Sequence, residues 1–111
     1  MIKIEEAERT PLKYTVADRS QIPEEAAKLI EEKKEKEFQM VYQKGEDLDL
    51  IKGYGRQMSG GYSIQVTDLS ASVNAVFFET KLIGPTEEVQ GGEPSYPYIV
   101  VKTEYRDVPV Q

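Results

Sequence analysis

The chain has 111 residues and contains neither histidine nor cysteine. Counting alone therefore removes Ser-His and Cys-His nucleophile pairs, imidazole metal ligands, thiolate zinc sites and disulfides, together with the general base best suited to neutral pH. Carboxylate pairs are what remains for acid–base work. Glu24/Glu25, Glu31/Glu32 and Glu87/Glu88 supply them, but each lies on a stretch that reads as solvated surface, where nothing drives two pKa values apart. Asp47-Leu48-Asp49 has the opening of a calcium loop but lacks the later glycine and terminal glutamate at the needed spacing, and reads as hairpin turn residues. Gly53-Tyr54-Gly55 starts a dinucleotide fingerprint, yet Met58 fills the third glycine position and a strand follows where a helix is required. The expectation is a non-enzyme with no catalytic residue, no metal site and no cofactor.

Tyrosine is the residue type left over, with seven Tyr and no Trp. Tyr54 and Tyr62 flank a Gly-rich segment, and Tyr96 and Tyr98 bracket Pro97. A ring with a polar tip serves either a sheet core or a protein interface, so both readings stand. The Ser59-Gly60-Gly61-Tyr62 segment is likewise either a tight turn whose glycines allow positive φ or a recognition loop. Pro97 sets the start of a strand and stops its ladder from extending.

These residues need elements to hold them. At 39% hydrophobic and 31% charged, the chain has the composition of an ordinary globular domain, and one domain over residues 1–111 is the expected count. A weak strand is read at Ile2 to Ala7 and a short extended piece at Tyr14 to Ala17, with Thr10-Pro11 breaking the pattern between them. Pro23 to about Lys36 reads as a helix: Glu24 and Glu25 favour its positive end, Lys33, Lys34 and Lys36 its negative end. Ile22, Ala26, Leu29, Ile30 and Lys33 form one narrow stripe that must cover a sheet.

From Phe38 the period changes to two. Phe38, Met40 and Tyr42 alternate with polar or outward positions, Lys44 to Asp47 turns the chain, and Leu48 to Tyr54 returns as the second arm of a hairpin. Gly53 and Gly55 mark a bulge or sharp bend. Tyr62, Ile64 and Val66 begin a half-buried strand, and Ser70 to Asn74 turns into Ala75 to Leu82, whose Val76-Phe77-Phe78 run reads as a central strand. A Gly/Pro/Glu loop from Gly84 to Pro94 precedes a last strand from about Tyr96 to Tyr105. The order divides into an N-terminal strand, helix and strand (1–47), a β region (48–105) and a tail (106–111). Short connections favour antiparallel neighbours, so the expected class is α+β: a mostly antiparallel, twisted or sandwich-like sheet with one helix packed on it.

Residues 1–45 carry ten acids and nine bases, and residues 46–111 ten acids and five bases, for a net charge of −6. That distribution offers no clustered cationic face, which argues against nucleic acid and anionic membranes as partners. The N-terminus has no export signal and no stretch approaches the ~20 apolar residues of a membrane span, so a soluble cytoplasmic protein is expected. Open sheet edges make a homo-oligomer conceivable.

Two segments together resemble the C-terminal domain of the PrcB protease-complex subunit family: Gly55-Arg-Gln-Met-Ser-Gly-Gly-Tyr-Ser-Ile-Gln-Val66 and Ser95-Tyr-Pro-Tyr-Ile-Val-Val-Lys102. In that family the first motif runs through Pro-Thr-Gly-Gly-Tyr-Ser-Ile, where this chain has Met58 and Ser59, and the second reads Thr-Tyr-Pro-Tyr before a β-branched strand. The resemblance covers about residues 48 to 103 and implies a bacterial, non-catalytic accessory domain that binds a protein, with a protease as the candidate partner. It also implies coupled roles for Ser59-Gly60-Gly61-Tyr62 and Tyr96-Pro97-Tyr98, with Arg56 beside them. This chain has no lipobox cysteine for surface anchoring. The same Gly-Tyr segment is similar to the Thr-Thr-Gly-Tyr loop of chagasin-type protease inhibitors, which implies an inhibitor presenting it beside Gly84 to Gly92 and Glu93 to Tyr98. A small-ligand domain, with Arg56 and carboxylates converging on a pocket, is the third reading.

Overall fold

Leu50-Ile51 and Ile99-Val100-Val101 place apolar side chains on both faces of their strands, because successive strand residues point to opposite sides. Such strands need cover above and below. The computed structural model, which describes residues 9–85 and 92–111, supplies it with a sheet on one side and a helix on the other. The expected strand at Ile2 to Ala7 and the Glu87/Glu88 pair lie outside the described residues.

The elements run β1 (Thr10–Pro11), β2 (Tyr14–Val16), a short 3-10 turn (Arg19–Gln21), α1 (Glu24–Lys33), β3 (Glu37–Lys44), β4 (Asp47–Tyr54), β5 (Ser63–Ala71), β6 (Val76–Ile83) and β7 (Tyr98–Glu104). They form two antiparallel sheets, ordered β1-β5-β6 and β2-β7-β4-β3. This is the α+β sandwich that the pattern implied. Between the sheets, Leu48, Leu50 and Val101 meet Leu69, Val76 and Phe78. On the opposite face of β4 and β7, Ile51 and Val100 pack against Ala26 and Ile30 of α1. Full burial of side chains of this size contributes roughly 1.5–3 kcal/mol each, which makes β4 and β7 the structural centre.

Helix α1 covers the sheet through the stripe read from its spacing, but it stops at Lys33, short of the expected Lys36. The chain turns there, with Lys36 N–H on Lys33 C=O at 3.3 Å, so that β3 starts at Glu37 and sets Phe38 opposite Gly53. The Phe38 ring occupies the space where a side chain at 53 would stand, so Gly53 serves close approach and Gly55, at φ 76°, makes the bend. Tyr42 donates from its hydroxyl to Glu25 at 3.0 Å and ties β3 to the helix.

Three sequence expectations need correction. Thr10-Pro11 pairs with Ser70 and Ala71 as a two-residue strand, where it was expected only to break a pattern. Strand β6 is the last strand of its sheet, not a central one. Its apolar first half nevertheless has neighbours on both edges, because the tail lays Val110 beside Val76, with Val76 N–H on Pro109 C=O at 2.9 Å. Finally, Asp49 is no turn residue. It sits inside β4, only 1% exposed, with the Lys102 ammonium at 3.1 and 3.4 Å from its two oxygens.

Removing one member of a buried ion pair strands the other. Lys102→Met should therefore destabilise the fold by about 3 kcal/mol, while the Asp49→Leu, Lys102→Met double variant should unfold at or above the wild-type urea midpoint; urea melts of the three proteins check this. A second expectation concerns pH. The bond to Glu25, followed by burial, raises the Tyr42 pKa. A raised folded value means that this contribution is complete below the ordinary tyrosine value and is lost as pH climbs through the folded one. Tyrosinate absorbance should show Tyr42 titrating at lower pH in Glu25→Gln than in wild type.

Candidate functional site

A two-sheet sandwich must cross between its sheets; the β1–β2 crossing lies at one end, and the β4–β5 and β6–β7 crossings both fall at the other. Strand β4 ends at Tyr54 beside the start of β7 at Tyr98, and the first residue of β5, Ser63, pairs with the last of β6, Ile83. The chain leaves the four-stranded sheet through Gly55 to Tyr62 and re-enters it through Ser95 to Pro97. These are the two motifs that the sequence singled out.

Main-chain bonds stitch the crossings together. Gln57 N–H donates to Ser95 C=O at 2.8 Å and Ser95 N–H to Gln57 C=O at 3.0 Å. Ser95 Oγ donates to Ser59 C=O at 2.6 Å, and Tyr54 N–H reaches Pro97 C=O at 3.0 Å. Proline has no N–H to return to Tyr54, and the Gln57 side-chain amide fills that role at 3.0 Å. Across the sandwich, the Tyr54 hydroxyl is hydrogen-bonded to Thr80 Oγ1.

The stitched crossings form one wall of a cleft of about 450 Å³. Gly61, Tyr62, Ser95, Tyr96, Pro97 and Tyr98 line it on that side. Val16, Ala17, Asp18, Arg19 and Ile22 form the other. A second opening of about 500 Å³ continues over α1 and shares Arg19, Ile22, Ser95, Tyr96 and Tyr98. There Lys34 Nζ stands 4.7 Å from the centre of the Tyr96 ring. Its bond to Glu31, at 2.6 Å, is the main cause of a raised Lys34 pKa.

Of the residues expected to act together, Gly61, Tyr62, Tyr96, Pro97 and Tyr98 share this cleft. Ser59 supports it from behind through Ser95, and Gly60 faces open space. Arg56 is exposed, with its N–H on Glu35 C=O at 3.3 Å, and lines neither opening. None of the seven tyrosines is fully buried, and Tyr42 and Tyr98 pack against the core between α1 and the four-stranded sheet. No group of three acidic side chains able to hold a metal occurs among the described residues, and no helix among them is long and apolar enough to cross a membrane.

Sequence reasoning missed the opposite wall. Strand β2 follows β7 as far as Ala17, whose N–H donates to Val100 C=O at 2.9 Å, and then turns away. The turn is a capping box: the Asp18 carboxylate accepts from Ser20 N–H at 2.9 Å, and Asp18 N–H donates to Gln21 Oε1 at 2.9 Å. The Asp-x-x-Gln spacing was the available signal. Arg19 is thereby turned onto the cleft and has no ion-pair partner among the described residues.

The two glycines of the Gly-Tyr loop are not equivalent. Gly61 has φ 86° and a Cβ there would stand 3.0 Å from Pro85 Cβ, whereas Gly60 has ordinary φ and free space around it. Gly61→Ala should cost about 1–2 kcal/mol, and Gly60→Ala should gain about 0.4–1 kcal/mol by restricting the unfolded chain. Thermal melts of the two variants against wild type give the comparison.

The model of the PrcB C-terminal family matches residues 50–104, about half of the chain. The match takes in the β4–β5 and β6–β7 crossings and the Gly61 to Tyr98 wall, while the Val16 to Ile22 wall lies outside it. No curated protein and no solved structure matches the chain.

Proposed function

With residues 50–104 forming a PrcB C-terminal domain, we propose that this chain is a non-catalytic, protein-binding accessory domain that works in association with a protease complex. The observation that carries the reading is the convergence of the two family-matched crossings on one cleft. Gly61 and Tyr62 come from the first, and Tyr96, Pro97 and Tyr98 from the second.

The chemistry of the cleft supports binding over turnover. Its ionisable side chains are Asp18, Arg19 and the three tyrosines, and the Asp18 carboxylate is already engaged by the turn that it caps. Half-buried tyrosines in a fixed frame offer large contact area at small entropic loss, which is how interface anchors act. A cleft of this size also holds one or two side chains of a partner.

The test is affinity capture from cell lysate with wild type, Tyr62→Ala and Tyr96→Ala, each shown to be folded by circular dichroism. One protein should be enriched by wild type and depleted at least tenfold by either variant. Equal capture by all three overturns the reading. If a captured protease keeps or gains activity, the chain is an accessory subunit; if its activity is lost, the chagasin-type inhibitor reading replaces it.

A further inference from the structure

The main chain beside the cleft carries an unused set of hydrogen-bonding groups. Along a strand, the N–H and C=O of successive residues point to alternate edges. Ser95 is bonded through both its groups to Gln57, and the Pro97 carbonyl takes Tyr54 N–H, so Ser95 and Pro97 address the β4 side. Tyr96 and Tyr98 must then present N–H and C=O to the opposite edge. No main-chain or side-chain partner meets those four groups among the described residues, and both tyrosines line the cleft. Strand β2 would have paired there, but the Asp18 capping box turns it away one residue after Ala17.

Pro97 has its place in this arrangement. Its missing N–H falls on the β4 side, where Gln57 compensates, and the open edge keeps both of its donors. Half-buried backbone groups are costly when unpaired, and the occupant that satisfies an i, i+2 set of donors and acceptors is another strand. Arg19 adds charge complementarity, since it is the only cation lining this cleft and has no acidic partner among the described residues.

We infer that the Tyr96–Tyr98 edge binds an extended peptide segment of its protein partner as an added strand, with an acidic side chain of that segment held by Arg19. The inference rests on the binding role proposed above and names the form of the ligand. Alternate side chains of the added strand enter the two openings: one set meets Val16, Tyr62 and Ile99, the other Ala27, Ile30 and Tyr96.

The experiment begins with hydrogen exchange by NMR on the free chain. Tyr96 and Tyr98 amides should exchange at least tenfold faster than those of Ile99 and Val101, which pair with β4. Protection of both in the free chain overturns the inference, because the edge is then closed. The probe is a phage-displayed random heptapeptide library selected on the full chain. Enriched peptides should carry β-branched or aromatic residues at alternate positions and an acid. They should slow the Tyr96 and Tyr98 amides at least tenfold and weaken about tenfold on Arg19→Gln. N-methylation at every second peptide position should abolish binding, and at the intervening positions leave it intact. Peptides that bind without slowing those amides, or a selection with no enrichment, reject strand addition. Lysate capture through Tyr62 and Tyr96 would still stand in either case, which separates this failure from failure of the binding role.

Discussion

Burial of both faces of the β4–β7 pair is the constraint on which the rest of the molecule depends. Leu50 and Val101 face one way, Ile51 and Val100 the other, and all four are almost wholly removed from water. A sheet this apolar on two sides is insoluble alone, so the three-stranded sheet and the helix are each required to close one face. The one charged side chain buried in that interior among the described residues, Asp49, is tolerated because Lys102 lies directly across from it in the ladder.

The location of the cleft follows from that centre. Strands that enter and leave a sandwich must change sheets at its ends, and the hairpins β3–β4 and β5–β6 place the β4–β5 and β6–β7 crossings together at the Tyr54 and Tyr98 end, opposite the β1–β2 crossing. Long crossings leave many backbone groups without ladder partners. Here they bond to one another, through Gln57 and Ser95, and form one wall. The N-terminal part contributes the facing wall, so one wall of the cleft comes from the region matched by the PrcB C-terminal family and the other from outside it. This division assigns the fixed backbone edge to the family-matched region and the charge, Arg19, to the other.

Much of the architecture was legible because each element carries one clean local signal. The period-two runs from Phe38 and Tyr62, the Pro23 start and the Ile22 to Ile30 stripe each stated an element type, and the structure forms each of them. Errors arose where a residue's role is set by a distant neighbour. Asp49 resembles a turn residue until Lys102 is placed opposite it, and β6 reads as central because the tail, and not a further strand, lies beside Val76. Thr10-Pro11 forms a strand only because β5 offers it an edge. In the cleft, the Gly61 to Tyr98 wall is built from residues that the two motifs singled out, and the Asp18–Arg19 turn was overlooked because a single capping turn carries no periodicity.

By itself the sequence determined the chemistry that is possible and the elements that form. The absence of histidine and cysteine is a count, and helix and strand periods are properties of contiguous residues. Tertiary structure decided which backbone groups remain unpaired. Whether Tyr96 and Tyr98 meet a strand, a loop or open space depends on where β2 departs and on which edge β4 occupies. Those are relations between segments about 45 and 80 residues apart along the chain, and hydrogen-bond satisfaction, unlike helical period, is a property of the neighbour as much as of the residue.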